Sequence, residues 1–268
     1  MSYIPICVDI IEEILPHIAD DKNTLRSAAL VASAWRHPAQ RQIFKCFGYR
    51  LRFSENIYWF LQFLQKSPHI CRLVWHFSIS SGPYEFNRAC VQEIRSVSLC
   101  TLYRILGHFP VLRSVSLTHM RLTDCTLQRV SGFHTCTAPS ILSTVKTLML
   151  DKIRVTGLTA DIYQILSCIP RLNELHLGPI FAHQDNIGDK TRPQIQRLDV
   201  VTVAFDKAWG PSDEVNPHSY IPLGRGIHTL SFLNIGRSNV PMICSLINSE
   251  RDSLQHVRMT FNPYKKGM

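Results

Sequence analysis

The chain has 268 residues, 45% of them apolar, which is enough for one extended domain plus a small module and too apolar for a disordered protein. Its net charge is +9, and residues 1–50 hold only 6 of the 29 Lys/Arg and 5 of the 20 Asp/Glu, leaving 23 against 15 in residues 51–268. Nine cysteines without a C-x-x-C pair argue against a zinc ribbon or a disulfide framework, and no apolar run approaches the ~18 residues of a membrane span. The N-terminus is acidic where a secretion signal is basic. The expectation is a cytoplasmic or nuclear protein with reduced, mostly buried thiols.

The first element is a set of helical stripes. Ile10, Ile11, Ile14, Leu15 and Ile18 recur at helical spacing, as do Leu25, Ala28, Ala29 and Val31, followed by Trp35, Ile43 and Phe44. A three-helix piece of this size cannot bury so much apolar surface by itself, so part of it is expected to meet another protein. Pro16 removes a backbone donor inside the first stripe, which predicts a kink or a restart with Pro16 in the first turn.

These residues carry a resemblance. Ile6-Cys7-Val8-Asp9-Ile10, Glu13-Ile14-Leu15, Leu30-Val31 followed by Trp35, and Ile43-Phe44 together resemble the F-box, whose pattern reads roughly Leu-Pro-x-Glu/Asp-Ile, Ile-Leu, Leu-Val-x-x-x-Trp and a closing aromatic. The sequence departs from that pattern in having Cys7 where the family has proline, with Pro5 two residues early, and in the extra Pro16. The resemblance covers residues 4–47 and implies a Skp-type linker subunit as partner and, through it, a cullin. It implies linker contacts at Ile10, Ile14, Leu15, Leu25, Leu30, Val31, Trp35, Ile43 and Phe44.

Over residues 48–268 an apolar residue, two others, an apolar residue, one other and an apolar residue recur at irregular intervals. The units are Ile70-Leu73-Trp75, Leu112-Val115-Leu117, Val145-Leu148-Leu150, Leu172-Leu175-Leu177, Ile195-Leu198-Val200, Ile227-Leu230-Phe232 and Leu254-Val257-Met259. Each ends in the alternation of a half-buried strand. Helical periodicity precedes several of them, over residues 57–64, 97–106, 162–168 and 240–247, with prolines at the junctions Ser67-Pro68, Phe109-Pro110 and Ile169-Pro170. Residues 80–87, 135–140, 181–193 and 208–226 read as loops.

Alternating helix and strand in such units is what a solenoid produces, because stacked neighbours bury faces that one unit cannot. This half resembles the leucine-rich repeat, extended by Met120-x-Leu122, Ile153-x-Val155 and Val203-x-Phe205. It departs where that family places Asn or Cys, having Met120, Ile153, Ile180, Val203 and Ile235, with Asn only at Asn262. The expected fold class is α/β, a small helical F-box (4–47) followed by an irregular leucine-rich-repeat-like solenoid with a parallel sheet (48–268). The combination is similar to the F-box-like families of mushroom-forming fungi.

Signatures of catalysis are missing. The chain has no G-x-x-x-x-G-K, no G-x-G-x-x-G after an expected strand, no G-x-S-x-G and no H-E-x-x-H. Cys125, His134 and Cys136 lack metal-site spacing, and His183, Asp185 and Asp189 lie in one polar loop without an apolar pocket to split their titration. Neither an enzyme nor a cofactor or metal is expected. Basic residues are scattered in sequence, so nucleic acid is not an expected partner. Of Trp59, Trp75 and Trp209, Trp75 is expected in the core and Trp209 on the surface.

What the two resemblances imply together is a substrate adaptor of a ubiquitin ligase, with a protein target of unknown identity held by the sheet's open face; the alternative is a repeat-based scaffold or decoy without ligase coupling. The open face is expected to carry Arg72, Val74 and His76; Ser114, Ser116 and Thr118; Thr147, Met149 and Asp151; Glu174 and His176; Arg197, Asp199 and Val201; Thr229, Ser231 and Leu233; and His256, Arg258 and Thr260. Met149, His176, Arg197, Asp199 and Arg258 are the candidate substrate-binding residues.

Overall fold

The computed structural model describes residues 8–51, 56–81, 96–123, 140–156, 160–182, 195, 198–205 and 226–261. It starts with α1 (Val8–Ile14), a 3-10 segment over Leu15–Ile18, α2 (Lys22–Val31) and α3 (Ser33–Lys45). Pro16 sits in the first turn of the 3-10 segment, where its missing N–H breaks no helical bond, so the expected restart is found. α2 begins where Asp21 accepts hydrogen bonds from the backbone N–H groups of Asn23 and Thr24, both at 3.0 Å, satisfying two orphan donors of the first turn. The Thr24 hydroxyl donates to the same carboxylate at 2.6 Å, and chiefly through it these bonds hold the Asp21 carboxyl below its ordinary range. Ile11, Leu15, Leu25 and Ala39 are fully buried and form a core of their own, with Ile18, Ala28, Ala29, Trp35 and Ile43 packed at its margin.

Lys45 ends α3 and Cys46 begins β1 (Cys46–Arg50) with no linker, so β1 straddles the expected 47/48 boundary. Among the described residues ten strands form one sheet in which every pairing is parallel. Across it run β1, β2 (His76–Ser80), β4 (Ser114–Thr123), β5 (Thr147–Thr156), β6 (Glu174–Leu177), β8 (Val200–Ala204), β9 (Thr229–Ile235) and β10 (His256–Phe261), while β3 (Ser96–Ser98) pairs with the far end of β4 and β7 (Ile180–Ala182) with that of β5.

Parallel neighbours require crossovers, which contain α4 (Asn56–Lys66), the short α5 (Pro68–Cys71), α6 (Leu99–Leu106), α7 (Ala160–Ser167) and α8 (Val240–Glu250). Ile57, Phe60, Leu61 and Leu64 of α4, Leu102 and Leu106 of α6, Ile165 of α7 and Ile243 and Leu246 of α8 share one core with the inward strand residues. The described helices thus cover one face and leave the other open. The helix expected over 97–106 is shorter, because 96–98 form β3 and the Ser98 hydroxyl caps α6 by accepting from the Thr101 N–H at 3.3 Å. Near β1 the core is aromatic, with Tyr49 stacked on Phe60 at 3.9 Å and Phe77 against Phe109 at 4.9 Å.

One hydrogen-bond device sets the register. At the start of successive strands two consecutive backbone N–H groups donate to a single carbonyl of the strand before: Arg113 and Ser114 to Trp75, Lys146 and Thr147 to Arg113, Asn173 and Glu174 to Lys146, Asp199 and Val200 to Asn173, His228 and Thr229 to Asp199, and Gln255 and His256 to His228. Four expected units fit this frame with inner pairs at most 1% exposed: Val115 and Leu117, Leu148 and Leu150, Leu175 and Leu177, and Leu230 and Phe232.

Two units need correction. The first is Val74-Phe77-Ile79, not Ile70-Leu73-Trp75, since Val74, placed on the open face by the sequence, is fully buried and Trp75 lies half-buried at the rim. The fifth is Leu198-Val201-Val203, so Val201 is buried and the open-face residues are Val200, Thr202 and Ala204. At both places the sequence offers overlapping matches, and pairing with the neighbouring strand selects between them. Phe44-Phe47-Tyr49 adds a unit at the start, with Phe47 and Tyr49 packed on the core. The last unit keeps its register, yet Val257 and Met259 are 40% and 44% exposed because β10 is an edge.

Beyond the inner pairs, His119, Lys152 and Asn234 adopt φ of 52°, 53° and 59° and turn the strand. Met120, Ile153 and Ile235 then face the core again. An Asn ladder is not needed after the first two of these bends, because Met120 pairs with Ile153 and Ile153 with Ile180, and the Ile153 N–H donates to the Pro179 carbonyl at 3.1 Å. The thiols of Cys71 and Cys168 are buried, which pushes their ionisation up, and Cys46 and Cys244 are free and exposed. Cys100 is disulfide-bonded, against the expectation of reduced thiols throughout. Among the described residues no helix is long and apolar enough to cross a membrane.

Candidate functional site

The three-helix unit keeps four apolar side chains inside and more outside. Val8, Ile10 and Ile14 of α1 are 48%, 53% and 43% exposed, and Leu30 and Val31 at the end of α2 are 84% and 76% exposed. Trp35, Ile43 and Phe44 are half-buried. Leu15 and Leu25 are a correction: expected as linker contacts, they are fully buried, because a unit this short spends its two most central leucines on holding its own helices together. An exposed ion pair, Arg41 to Glu12 at 3.1 Å, joins α3 to α1.

The sheet's open face is built in rows, because parallel pairing brings equivalent positions of successive strands side by side. The middle row reads Gly48, Ser78, Ser116, Met149, His176, Thr202, Ser231 and Arg258. The row before it reads Cys46, His76, Ser114, Thr147, Glu174, Val200, Thr229 and His256. Ser78, Ser116, Thr202 and Ser231 make half of the middle row, with Met149, His176 and Arg258 as its large groups.

Met149 and His176 are direct register partners, and Arg258 lies on the same row three strands beyond His176, at the exposed edge. His176 faces Glu174 at 3.6 Å. Asp199 is a second correction, sitting not on the open face but in the strand-entry row, 3.7 Å from His228. Arg72 precedes β2 and is not on the face either. Arg197 lies outside the described residues, as do Cys125, His134, Cys136, His183, Asp185, Asp189, Trp209 and most of the four expected loops.

Two features escaped the sequence. The outer side of α4 exposes Tyr58, Trp59 and Phe63, at 63%, 70% and 39%, while Trp75, expected in the core, is half-buried. Trp75 carries the Arg113 guanidinium 4.1 Å and the Lys45 ammonium 5.2 Å from its ring centre. Among the described residues no three His, Cys, Asp or Glu side chains are grouped to hold a metal ion. The chain matches no family model, and no curated protein resembles it closely enough to count as a match.

Proposed function

We propose that the chain is a non-enzymatic substrate adaptor of a Skp-cullin-F-box type ubiquitin ligase, its three-helix unit docking on the Skp-type linker and its repeat half, read as an irregular leucine-rich-repeat-like solenoid, recruiting a protein target in the cytoplasm or nucleus. The observation that carries this reading is the apolar set Ile10, Ile14, Leu30 and Val31, left outside a unit that already has a complete small core. Each of these side chains contributes on the order of 1.5 to 3 kcal/mol if fully covered by a partner. The open face, half-exposed and rich in Ser and Thr, suits a protein or peptide better than a small molecule, which needs an enclosed apolar pocket.

Co-purification with a recombinant Skp-type linker tests the reading. Leu30→Glu places a charge on the docking surface and abolishes the complex while circular dichroism stays that of the unmodified chain. Retention of the linker by a folded Leu30→Glu chain overturns the ligase assignment and leaves the repeat-based scaffold.

A further inference from the structure

The strand-entry row reads Lys45, Trp75, Arg113, Lys146, Asn173, Asp199, His228 and Gln255 across the sheet. Its first half is cationic and its second is not. Lys45, Arg113 and Lys146 come from distant parts of the sequence and reach one rim only through strand pairing. Among the described residues none of the three is engaged in an ion pair. Trp75 stands between the first two and takes both over its ring, which fixes their positions without neutralising them. The charge is felt nearby: His76, already disfavoured as a cation by partial burial, is pushed lower still by Lys45 and Arg113.

Beside this rim run the hydroxyls of Ser114 and Thr147 and, on β6, Glu174, which accepts from the Thr147 hydroxyl at 3.5 Å. We propose that the rim from Lys45 to Lys146 is a recognition site for an acidic segment of a protein, bound in extended form across β1, β2, β4 and β5. This deepens the recruitment half of the function proposed above and rests on it.

The dimensions fit. Three strand spacings cover about 14 Å, and carboxylates on alternate residues of an extended peptide recur about every 6.6 Å, so three of them span the row. Glu174 and Asp199 end the site by repelling further acidic groups. Single-stranded nucleic acid fits less well, since Trp75, the aromatic ring of the rim among the described residues, already carries two cations with which a base would have to compete.

Fluorescence anisotropy on the whole chain tests this with a labelled heptapeptide carrying Glu at alternate positions, the same peptide with Gln, and a labelled oligothymidine. The Glu peptide binds, the Gln peptide does not, and binding weakens between about 20 and about 200 mM salt. Arg113→Glu combined with Lys146→Glu lowers affinity at least about tenfold, whereas Arg251→Glu, on an exposed turn remote in sequence from the rim, leaves it unchanged. Arg113→Lys with Lys146→Arg retains binding and guards against a folding defect. Equal binding of the Gln peptide, indifference to the double reversal, or tighter binding of the oligonucleotide overturns the proposal. The linker experiment is separate: a chain that holds the linker and ignores the Glu peptide refutes the rim alone, and Leu30→Glu leaves peptide binding intact.

Discussion

The three-helix unit and the sheet solve the burial problem in opposite ways. The first has a core of Ile11, Leu15, Leu25 and Ala39 and leaves Ile10, Ile14, Leu30 and Val31 to solvent; the second runs one core from Leu51 to Leu246, to which β2, β4, β5, β6, β8 and β9 each add two or more side chains. A small core holds few helices and displays the rest of its apolar surface, which suits docking. The sheet's core leaves its other face uncovered by the described helices, which suits recognition. Independence of the two cores, despite the direct passage from Lys45 to Cys46, is the point that measurements can break.

The largest effect is expected from Leu148→Ala and Leu25→Ala, both fully buried. Each removes about 2 to 5 kcal/mol by transfer and cavity terms. Amide exchange distinguishes them: Leu25→Ala accelerates α1 to α3 and spares β4 and β5, while Leu148→Ala accelerates the sheet. Uniform acceleration in the first variant shows that the helices and the sheet unfold as one unit.

Gly178→Ala is expected next. A Cβ there collides with Asp151 Oδ1 and comes within 3.0 Å of the Asp151 Cα, so β5 and the start of the β6–β7 turn must shift, at about 1 to 3 kcal/mol. Adding Asp151→Ala recovers part of the loss in denaturant melts, and strict additivity of the two substitutions rules out that contact as the cause.

A smaller effect concerns the α2 cap. Because hydrogen bonds from Thr24 and Asn23 depress the Asp21 pKa in the folded state, the stabilisation is present above the ordinary carboxylate pKa and fades as pH falls through the depressed value. Asp21→Ala therefore melts slightly below the unmodified chain at neutral pH, and the two curves converge in acid. A difference that persists at low pH assigns the effect to helix propensity and not to the cap. Smallest of all is the stability change in Leu30→Glu, within about 0.5 kcal/mol, because its side chain is 84% exposed.

Local periodicity carried far in this chain. Helical spacing located α4, α7 and α8, the Pro16 restart was legible from one residue's missing donor, and four strand units were placed with their inner pairs correct, because side-chain alternation is a short-range property of the backbone. Ile10, Ile14, Leu30 and Val31 were picked for docking and are exposed, while Leu15 and Leu25 were not separable from them, since the same stripe supplies both the inside and the outside of a small unit. Register at Val74 and Val201 was undecidable locally, where two matches overlap and only the neighbouring strand's carbonyls choose. The same cause hid the cationic rim. Lys45, Arg113 and Lys146 are isolated charges in sequence, and it is parallel pairing, with each strand starting on the carbonyl of the last, that sets them along one rim, the first two against Trp75.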